Sequence, residues 1–307
     1  MRVHVVRVRA LLALTALAVA LCVPASASAV PVATDAFTLD ATKDSVVAGV
    51  AIHPQAVYSA GRTYIAFQGP GLRPYVAAYD HTTHAWIGTY VIGVAGLVND
   101  LHGVPALLVD SDGYIHAFWG GHATPLMHAR TANPRDISSW VRLADVTPKY
   151  TYSQPIRLPD GTIDIFYRGD GYDWQYRRST DNGISWSSPI KVLDQVGNYG
   201  FYAHFERGQG SEILASWEAM NWDDYFSGRT FGRTNVYFMR RDTAGVWRNA
   251  AGAPVTLPLM PSTQGAQARI YMSGGANTNW ATAKAAPNGD PCVLFTTGSG
   301  GGPTSYH

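Results

Sequence analysis

Apolar and polar residues alternate along most of the chain in short runs, and these runs recur as one repeated unit. The clearest copy spans residues 155–186, in which the turn Pro159-Asp160-Gly161 is followed by apolar runs at 162–167 and 174–178. Alternation with a period of two between Gly and Asp turns is typical of antiparallel strands. Similar units, each ending in tryptophan, occupy residues 55–86, 105–140 and 213–247.

The spacing of the closing tryptophans indicates the architecture. Trp86, Trp140, Trp186 and Trp247 follow one another at roughly the ~40–50 residues of a four-stranded propeller blade, with some longer loops. No run keeps a helical period. We therefore predict an all-β chain, a β-propeller of four-stranded blades with about five blades visible, and we disfavour a jelly roll or sandwich.

After Trp247 the pattern continues at residues 267–272 and 291–297, and the chain reaches His307 without a further closing tryptophan. A propeller with an open ring would expose strand edges. We therefore expect the C-terminal part of the propeller to be missing.

The first 29 residues have the pattern of a signal peptide. Three arginines precede the apolar run 10–23, and Ala27-Ser28-Ala29 follows it. The run is shorter than the ~20 residues of a membrane-spanning helix. We expect cleavage after Ala29, a single propeller domain over residues 30–307, and a secreted, extracellular protein in which Cys292 has no disulfide partner.

The composition narrows the range of partners. Charged residues are 15% of the chain with a net charge of +1, so no basic stripe marks a nucleic-acid surface. Aromatic residues are 12%, and the 31 glycines suit many tight turns. These values favour a carbohydrate-facing β protein, and we expect no nucleic acid, no membrane and a monomer.

Residues 179–186 read Ser-Thr-Asp-Asn-Gly-Ile-Ser-Trp and match the Asp box, S-x-D-x-G-x-x-W, at every fixed position. Asp181 and Gly183 suit a tight hairpin between outer strands, and Trp186 suits a plug that folds back on the blade. The box is therefore predicted to be structural.

Two histidines in the second repeat are the strongest candidates for chemistry. His102 and His122 flank a predicted hairpin at matched strand ends, next to glycines that would let a ligand approach. A histidine in a β protein is usually a hydrogen-bonded bystander, and we interpret His116 and His128 in that way. A metal site formed by His102, His116 and His122 lacks the expected ligand spacing.

The third and fourth repeats add further candidates. Tyr167 ends a strand before a Gly-rich loop, and alternation places Arg177 and Arg178 on opposite faces, so at most one of them faces a site. The long aromatic loop 221–232 is a candidate functional loop. The candidate substrate-binding residues are Arg177, Tyr225, Arg229, Arg233 and His53.

The sequence resembles the BNR-4 repeat family of secreted propellers over residues 53–307. The motifs that carry the resemblance are residues 99–105, residues 112–122, Phe166-Tyr167-Arg168 and Tyr176-Arg177-Arg178. The family includes ulvan lyases and lyases that cut L-rhamnose from D-glucuronate, and its propellers have seven blades. The resemblance implies catalytic-face roles for His102 and His122, a strand-end tyrosine at Tyr167 and a uronate-binding arginine at Arg178.

These residue types suit β-elimination from a uronate. Arginine can neutralise the carboxylate, a histidine or tyrosine can remove the C5 proton, and an acid must protonate the leaving oxygen. We expect His102 to act as the base, alone or with Tyr167. His122 would position the reacting groups or protonate the leaving oxygen. Arg178, or else Arg229 or Arg233, would hold the carboxylate.

The predicted function is thus a secreted polysaccharide lyase acting on an acidic plant or algal polysaccharide of rhamnose and glucuronate. No cofactor is expected, and a structural calcium or zinc ion is left open. The alternatives are an α-L-rhamnosidase or other glycoside hydrolase, a sialidase, or a non-catalytic glycan-binding propeller. A sialidase is disfavoured because Ala51-Ile52-His53-Pro54 stands where sialidases carry an Arg-Ile-Pro strand.

Overall fold

The computed structural model describes residues 6–7, 55–96, 101–227, 233–298 and 305–306. The strands are β1 (Val6–Arg7), β2 (Ala56–Ser59), β3 (Arg62–Gln68), β4 (Pro74–Asp80), β5 (Ala85–Val91), β6 (Ala106–Val109), β7 (Ile115–Trp119), β8 (Thr124–Asn133), β9 (Asp136–Arg142), β10 (Thr147–Arg157), β11 (Ile163–Arg168), β12 (Trp174–Ser179), β13 (Ile190–Leu193), β14 (Tyr199–Arg207), β15 (Ile213–Asn221), β16 (Arg233–Arg241), β17 (Trp247–Asn249), β18 (Arg269–Tyr271), β19 (Asn277–Ala285), β20 (Pro291–Gly298) and β21 (Ser305–Tyr306). The α-helices are α1 (Trp222–Phe226) and α2 (Pro261–Ala268), and 3-10 turns lie at Pro70–Leu72, Leu101–Gly103 and Asp170–Tyr172.

The strands form antiparallel blades in chain order, which confirms the predicted all-β propeller. Blade 1 is β2 to β5, blade 2 is β6 to β9, blade 3 is β10 to β13, and blade 4 is β14 to β17 with β18 also paired to β16. Blade 5 contains β19 and β20, and both β1 and β21 pair with β20. None of the described helices is long and apolar enough to cross a membrane.

The hydrophobic core is divided into layers between consecutive blades. Strand β11 shows why: Ile163 and Ile165 belong to a cluster shared with blade 2, whereas Phe166 belongs to a cluster shared with blade 4. A strand sandwiched in this way is apolar on both faces, so it reads as a nearly continuous hydrophobic run. This packing holds each blade between its neighbours.

The Asp box forms the turn between β12 and β13. The Ser179 hydroxyl accepts a hydrogen bond from Gly183 N at 2.8 Å, and Asp181 Oδ1 accepts one from Ser185 N at 3.0 Å. Gly183 has φ +77°, a conformation that residues with a side chain rarely adopt. Trp186 packs edge-on against Phe118 of blade 2, with ring centroids 6.1 Å apart, so the box supports the contact between blades.

Strand β10 is longer than the third repeat predicts, and it crosses from one blade to the next. Thr147 and Tyr150 pair with β8 of blade 2, whereas residues 154–157 pair with β11 of blade 3. The register shifts between these two segments, and Tyr152 lies in the shift with φ +63°. The unit predicted from Pro155 onward omits this crossing.

The region after Trp247 also differs from the predicted pattern. Residues 267–268 end helix α2, and β18 pairs with β16 of blade 4. The strand beside blade 4 that begins blade 5 is β19, which packs against β14 and β15. The predicted run at 291–297 coincides with β20.

Candidate active site

His102 and His122 meet where blade 2 begins its first and third strands. His102 lies in the 3-10 turn before β6, and His122 lies between β7 and β8. Their rings stack with centroids 4.6 Å apart and an interplanar angle of 13°. His122 is exposed and His102 half-buried, so the two imidazoles share one accessible rim, as the hairpin pattern predicts.

The glycines beside the two histidines are required for packing. A Cβ on Gly103 would lie 2.9 Å from the Gly120 carbonyl oxygen, and a Cβ on Gly120 would lie 2.5 Å from the Pro125 carbonyl oxygen. Close packing of the backbone therefore accounts for glycine at positions 103 and 120, while access for a ligand beside the histidines stays a prediction. The two glycines let neighbouring backbones approach closely enough to hold the imidazoles together.

Tyr152 reaches this pair from the bulge in β10. Its hydroxyl lies 3.2 Å from His102 Nε2, and its ring is 4% exposed. A positive φ is rare for a residue with a bulky side chain, and such strain clusters at functional sites. Burial raises the pKa of Tyr152 to about 12, against the opposing influence of Arg168, so the free phenol is neutral at physiological pH.

Arg168, the last residue of β11, completes the group. Its Nη2 donates a hydrogen bond to His122 Nε2 at 2.9 Å, and its guanidinium carbon lies 4.7 Å from the centroid of Tyr152. Arg168 is 3% exposed and makes no salt bridge with a carboxylate among the described residues. Because Arg168 donates, His122 Nε2 carries a lone pair and the imidazole is neutral in this arrangement.

Two residues expected at the site lie elsewhere. Tyr167 is fully buried in the layer between blades 2 and 3, since strand alternation points it away from its neighbour Arg168. Arg178 forms a bidentate contact with the buried Asp164, at 2.7 and 2.9 Å, and Arg241 of blade 4 binds the same carboxylate at 2.6 Å. The residues that contact the two histidines are Tyr152 and Arg168.

The candidate substrate-binding residues are also distributed differently. Arg177 donates to the Tyr167 hydroxyl at 3.2 Å and to the Ser187 carbonyl at 3.1 Å, at the base of the Asp box. Tyr225 lies on α1, and Arg233 begins β16. His53 and Arg229 lie outside the described residues.

Aromatic rings extend the group in two directions. On one side Arg168 lies 5.1 Å from the Tyr172 ring, which contacts Trp222, and Trp222 in turn contacts Tyr225 and Phe226. On the other side Tyr152 lies 6.0 Å from Tyr202 of blade 4. Aromatic surfaces of this kind suit the apolar faces of sugar rings.

The remaining histidines of blade 2 are buried together. His116 Nδ1 lies 2.8 Å from His128 Nε2, and His116 Nε2 lies 3.1 Å from Asp110 Oδ2. Burial holds the pKa of His128 well below its usual value. Within the described part of the chain no group of three or more His, Cys, Asp or Glu residues is arranged to hold a metal ion.

A cavity of about 440 Å³ lies apart from this group. Its lining includes Ser59, Val109 and Arg157, which are the final residues of β2, β6 and β10. His102 instead precedes β6, so the cavity and the histidines occupy opposite ends of the first strands. We assign no chemistry to the cavity because none of the four contacting residues lines it.

The fold and this group define an Asp-box β-propeller with a clustered His, Tyr and Arg site. The profile of the BNR repeat-containing family matches residues 62–307, and the chain belongs to that family.

Its relatives include ulvan lyases. It is 36% identical over 245 residues to the ulvan lyase PL25 of Pseudoalteromonas sp. (strain PLSV), covering 67% of this chain and 50% of that protein. It is 31% identical over 282 residues to an ulvan lyase of Alteromonas sp. (strain LOR), covering 80% of this chain and 58% of that protein. The chain thus spans about half the length of these curated relatives.

Among solved structures, a PL25 ulvan lyase bound to -[GlcA(1-4)Rha3S]- superposes with a TM-score of 0.75 at 31% identity, covering 82% of this chain and 65% of that one. The polysaccharide lyase Uly1 superposes with a TM-score of 0.65 at 12% identity, covering 90% of this chain and 74% of that one. At that identity the second comparison shows a shared fold.

Proposed function

We propose that this propeller is a polysaccharide lyase that cleaves an acidic rhamnose–glucuronate glycan of the ulvan type by β-elimination. The observation that carries the proposal is the mutual contact of His102, Tyr152, Arg168 and His122. The relatives named ulvan lyases support it, and so does the glucuronate–sulfated rhamnose ligand of the solved relative. Ulvan is therefore the first substrate to test.

Arg168 suits the step that makes the C5 proton removable. An ionised carboxylate disfavours a second negative charge on the adjacent carbon, and a guanidinium relieves this because its fork of donors matches a carboxylate. One Arg168 nitrogen is engaged by His122, and a guanidinium has five N–H donors in all. Its burial strengthens the charge interaction with a bound carboxylate.

His102 and Tyr152 divide the proton transfers. His102 takes the C5 proton as base, the C4–O bond breaks as the C4–C5 double bond forms, and Tyr152 donates its proton to the leaving oxygen. The raised pKa of Tyr152 supports the acid role because it keeps the phenol protonated before the reaction. The 3.2 Å contact then lets protonated His102 return a proton to the phenolate, which restores both groups.

His122 acts in this scheme as a positioning residue. It stacks on His102 and accepts a hydrogen bond from Arg168, so it fixes the base relative to the carboxylate-binding cation. A glycoside hydrolase on the same propeller is less well supported, because most such enzymes depend on a pair of carboxylates and none of these four side chains is one. From the signal-peptide pattern we also infer that the protein acts outside the cell.

The test is product chemistry on ulvan. The wild-type protein should release oligosaccharides with a 4,5-unsaturated uronate end, detected by ultraviolet absorbance and mass spectrometry. His102→Gln should lose this product while retaining the wild-type unfolding curve. A saturated uronate at the new non-reducing ends, in place of the unsaturated one, would overturn the lyase proposal in favour of hydrolysis. Binding without any product would favour a glycan-binding module.

A further inference from the structure

The β10 bulge, residues 151–154, carries Tyr152 in a strained conformation. Tyr152 has φ +63°, and the register of β10 against β11 shifts between Thr151 and Gln154. A positive φ is unfavourable for a residue with a bulky side chain, and it persists only where the surroundings impose it. The contacts made on either side of Tyr152 therefore determine where its hydroxyl lies.

Gln154 ends the bulge and binds blade 4. Its Nε2 donates to the Ala203 carbonyl at 2.8 Å, and its Oε1 accepts a hydrogen bond from the Phe205 N–H at 2.7 Å. Gln154 is 3% exposed, and β14 is the edge strand of its blade. A side-chain amide has the same donor and acceptor as a peptide group, so Gln154 pairs with this edge as a strand residue would.

Trp174 makes a second attachment to the same edge of β14. Its Nε1 donates to the Phe201 carbonyl at 2.8 Å. Phe201 lies two positions before Ala203, so its backbone points to the same side of the strand. The Trp174 ring is nearly parallel to that of Tyr152, with an interplanar angle of 8° and centroids 6.1 Å apart. Tyr152 thus lies against a ring that is itself attached to blade 4.

Thr151 begins the bulge and binds the segment that carries His122. Its Oγ1 accepts a hydrogen bond from the Ala123 N–H at 3.3 Å, and Ala123 directly follows His122. Thr151 is 3% exposed. The bulge is therefore held at one end by blade 2 and at the other by blade 4, and Tyr152 lies between these two attachments.

The distance from Tyr152 to His102 leaves little tolerance for movement. Their 3.2 Å contact is at the upper end of the range over which a general acid or base transfers a proton. A displacement of about 1 Å in a catalytic group can lower the rate by about 10²-fold. A loosened bulge would therefore affect proton transfer before it affected substrate binding.

We propose that Gln154 is a positioning residue for the general acid, and that its pairing with the edge of β14 holds the Tyr152 hydroxyl within reach of His102. This inference rests on the proposed function. Gln154 is buried and both ends of its amide are engaged within the protein, so it acts through Tyr152 and has no contact with substrate.

The first test is Gln154→Leu, which removes both hydrogen bonds and keeps a similar volume. Its kcat on ulvan should fall by about tenfold to a hundredfold, with KM nearly unchanged because His122 and Arg168 are intact. Gln264→Leu is the matched control. Gln264 is also 3% exposed and accepts a hydrogen bond from Trp217 Nε1 at 2.9 Å, but it lies on α2, which packs against β16 and β18. That variant should lose stability and keep kcat.

Gln154→Glu provides a rescue that depends on pH. A protonated carboxyl group has one donor and one acceptor, as the amide does, whereas a carboxylate can only accept. Burial raises the pKa of such a carboxyl group. The kcat of Gln154→Glu relative to wild type should therefore be highest at acidic pH and decline as pH rises, while the same ratio for Gln154→Leu should not change with pH.

Three kinetic results would overturn the proposal. They are a kcat of Gln154→Leu close to that of wild type, an equal loss of kcat in Gln264→Leu, or a relative kcat of Gln154→Glu that does not depend on pH. If Gln154→Leu does not fold, Gln154→Asn replaces it. Asparagine keeps the amide but is one methylene shorter, so it should not reach both Ala203 and Phe205 and should lose kcat as well.

The positioning role and the lyase activity fail in distinguishable ways. Absence of unsaturated product from the wild-type protein would remove the proposed function, and crystal structures of wild type and Gln154→Asn would then test the positioning role directly. A Tyr152 hydroxyl that moves out of hydrogen-bond distance of His102 in the variant supports it. A contact that is the same in the two structures overturns it.

Discussion

His102 Nε2 and the Tyr152 hydroxyl lie 3.2 Å apart although fifty positions separate the two residues in the chain. The contact exists because β10 pairs with β8 of blade 2 up to Tyr150 and with β11 of blade 3 from Thr151 onward, and because Tyr152 lies in the register shift that follows Thr151. The tyrosine of one blade is thereby placed against the histidine of another. An acid and a base side by side suit an elimination that breaks bonds at adjacent carbons.

Tyr152→Phe should lower kcat by about 10²–10⁴-fold, the usual contribution of a positioned general acid, with little change in KM. The ring and its stacking on Trp174 are retained, so the unfolding curve should not move. Initial rates of unsaturated product on ulvan measure the effect. Tyr176→Phe is the control, because Tyr176 is a buried tyrosine of blade 3 in the same core layer. Comparable losses of kcat in the two variants would contradict the role of Tyr152 as the general acid.

The sequence predicted the histidine pair better than its partners. His102 and His122 flank one hairpin, and a hairpin necessarily brings its flanks together. Tyr152 was missed because its strand changes partner at a bulge, which no local period reveals. An alternation of aromatic and polar residues at 150–153 was the available signal, and it lay just before the predicted start of the repeat.

Which arginine lies beside the histidines depends on the face of the strand to which its side chain points. Tyr167 and Arg168 are adjacent, so they face opposite sides of β11, and the repeated pattern does not state which side faces the site. Arg178 has the expected residue type, but the cross-strand register puts it directly opposite Asp164. Arg178 therefore binds the buried carboxylate of Asp164 on the neighbouring strand. The spacing of residues along the chain does not predict this pair.

Arg168→Lys and Arg178→Lys should therefore separate the two arginines. Lysine keeps the charge and loses the planar fork, so Arg168→Lys should reduce kcat/KM on ulvan by about 10²–10³-fold. Arg178→Lys should stay within a few-fold of wild type, because its contact with Asp164 is remote from the histidines. Steady-state kinetics of both variants give the comparison, and the reverse order of effects would restore Arg178 as the uronate-binding residue.

Arg241→Met should reduce stability without affecting catalysis. Its side chain is 5% exposed and binds the fully buried Asp164, and removal of one partner from a buried ion pair costs at most about 3–5 kcal/mol. Arg178 still contacts Asp164 in this variant, which keeps the expected loss below that limit. Urea unfolding measures the difference.

Arg240→Met is the control on the same strand, because Arg240 forms a more exposed contact with Glu212 at 3.7 Å that should contribute about 1 kcal/mol or less. Equal losses of unfolding free energy in the two variants would show that the buried contact of Arg241 with Asp164 stabilises the fold no more than the exposed contact of Arg240 with Glu212.

Phe226→Ala tests the aromatic surface that runs from Arg168 through Tyr172 and Trp222. Phe226 is 78% exposed, so its removal should not alter the fold. If the surface stacks on sugar rings, the variant should raise KM for long ulvan fragments by about twofold to tenfold and leave short fragments unaffected. Ile184→Ala is the control, because Ile184 is also an exposed apolar residue but lies within the Asp box, and it should leave KM unchanged for both long and short fragments. An increase in KM that is equal for long and short fragments in Phe226→Ala would exclude an extended binding surface.

Glu218 should make stability depend on pH in a defined window. Burial raises its pKa from 4.5 to about 7, against the opposing effects of the Ala281 N–H and Arg233. Below pH 4.5 the group is protonated in both folded and unfolded chains. As pH rises to about 7 the unfolded chain ionises first, so folding loses stability, by about 1.4 kcal/mol per pKa unit or roughly 3 kcal/mol across the window.

Glu218→Gln cannot ionise, so its unfolding free energy should lack this decline. His204, whose pKa burial lowers to about 4, and Arg233 are present in both proteins, so their contributions largely cancel in the difference. Urea unfolding at intervals from pH 4.5 to 8 should show the two curves diverging between about pH 4.5 and 7 and running parallel above it. Curves that stay parallel throughout would mean that Glu218 is ionised in the folded protein, and that its unpaired oxygen is solvated.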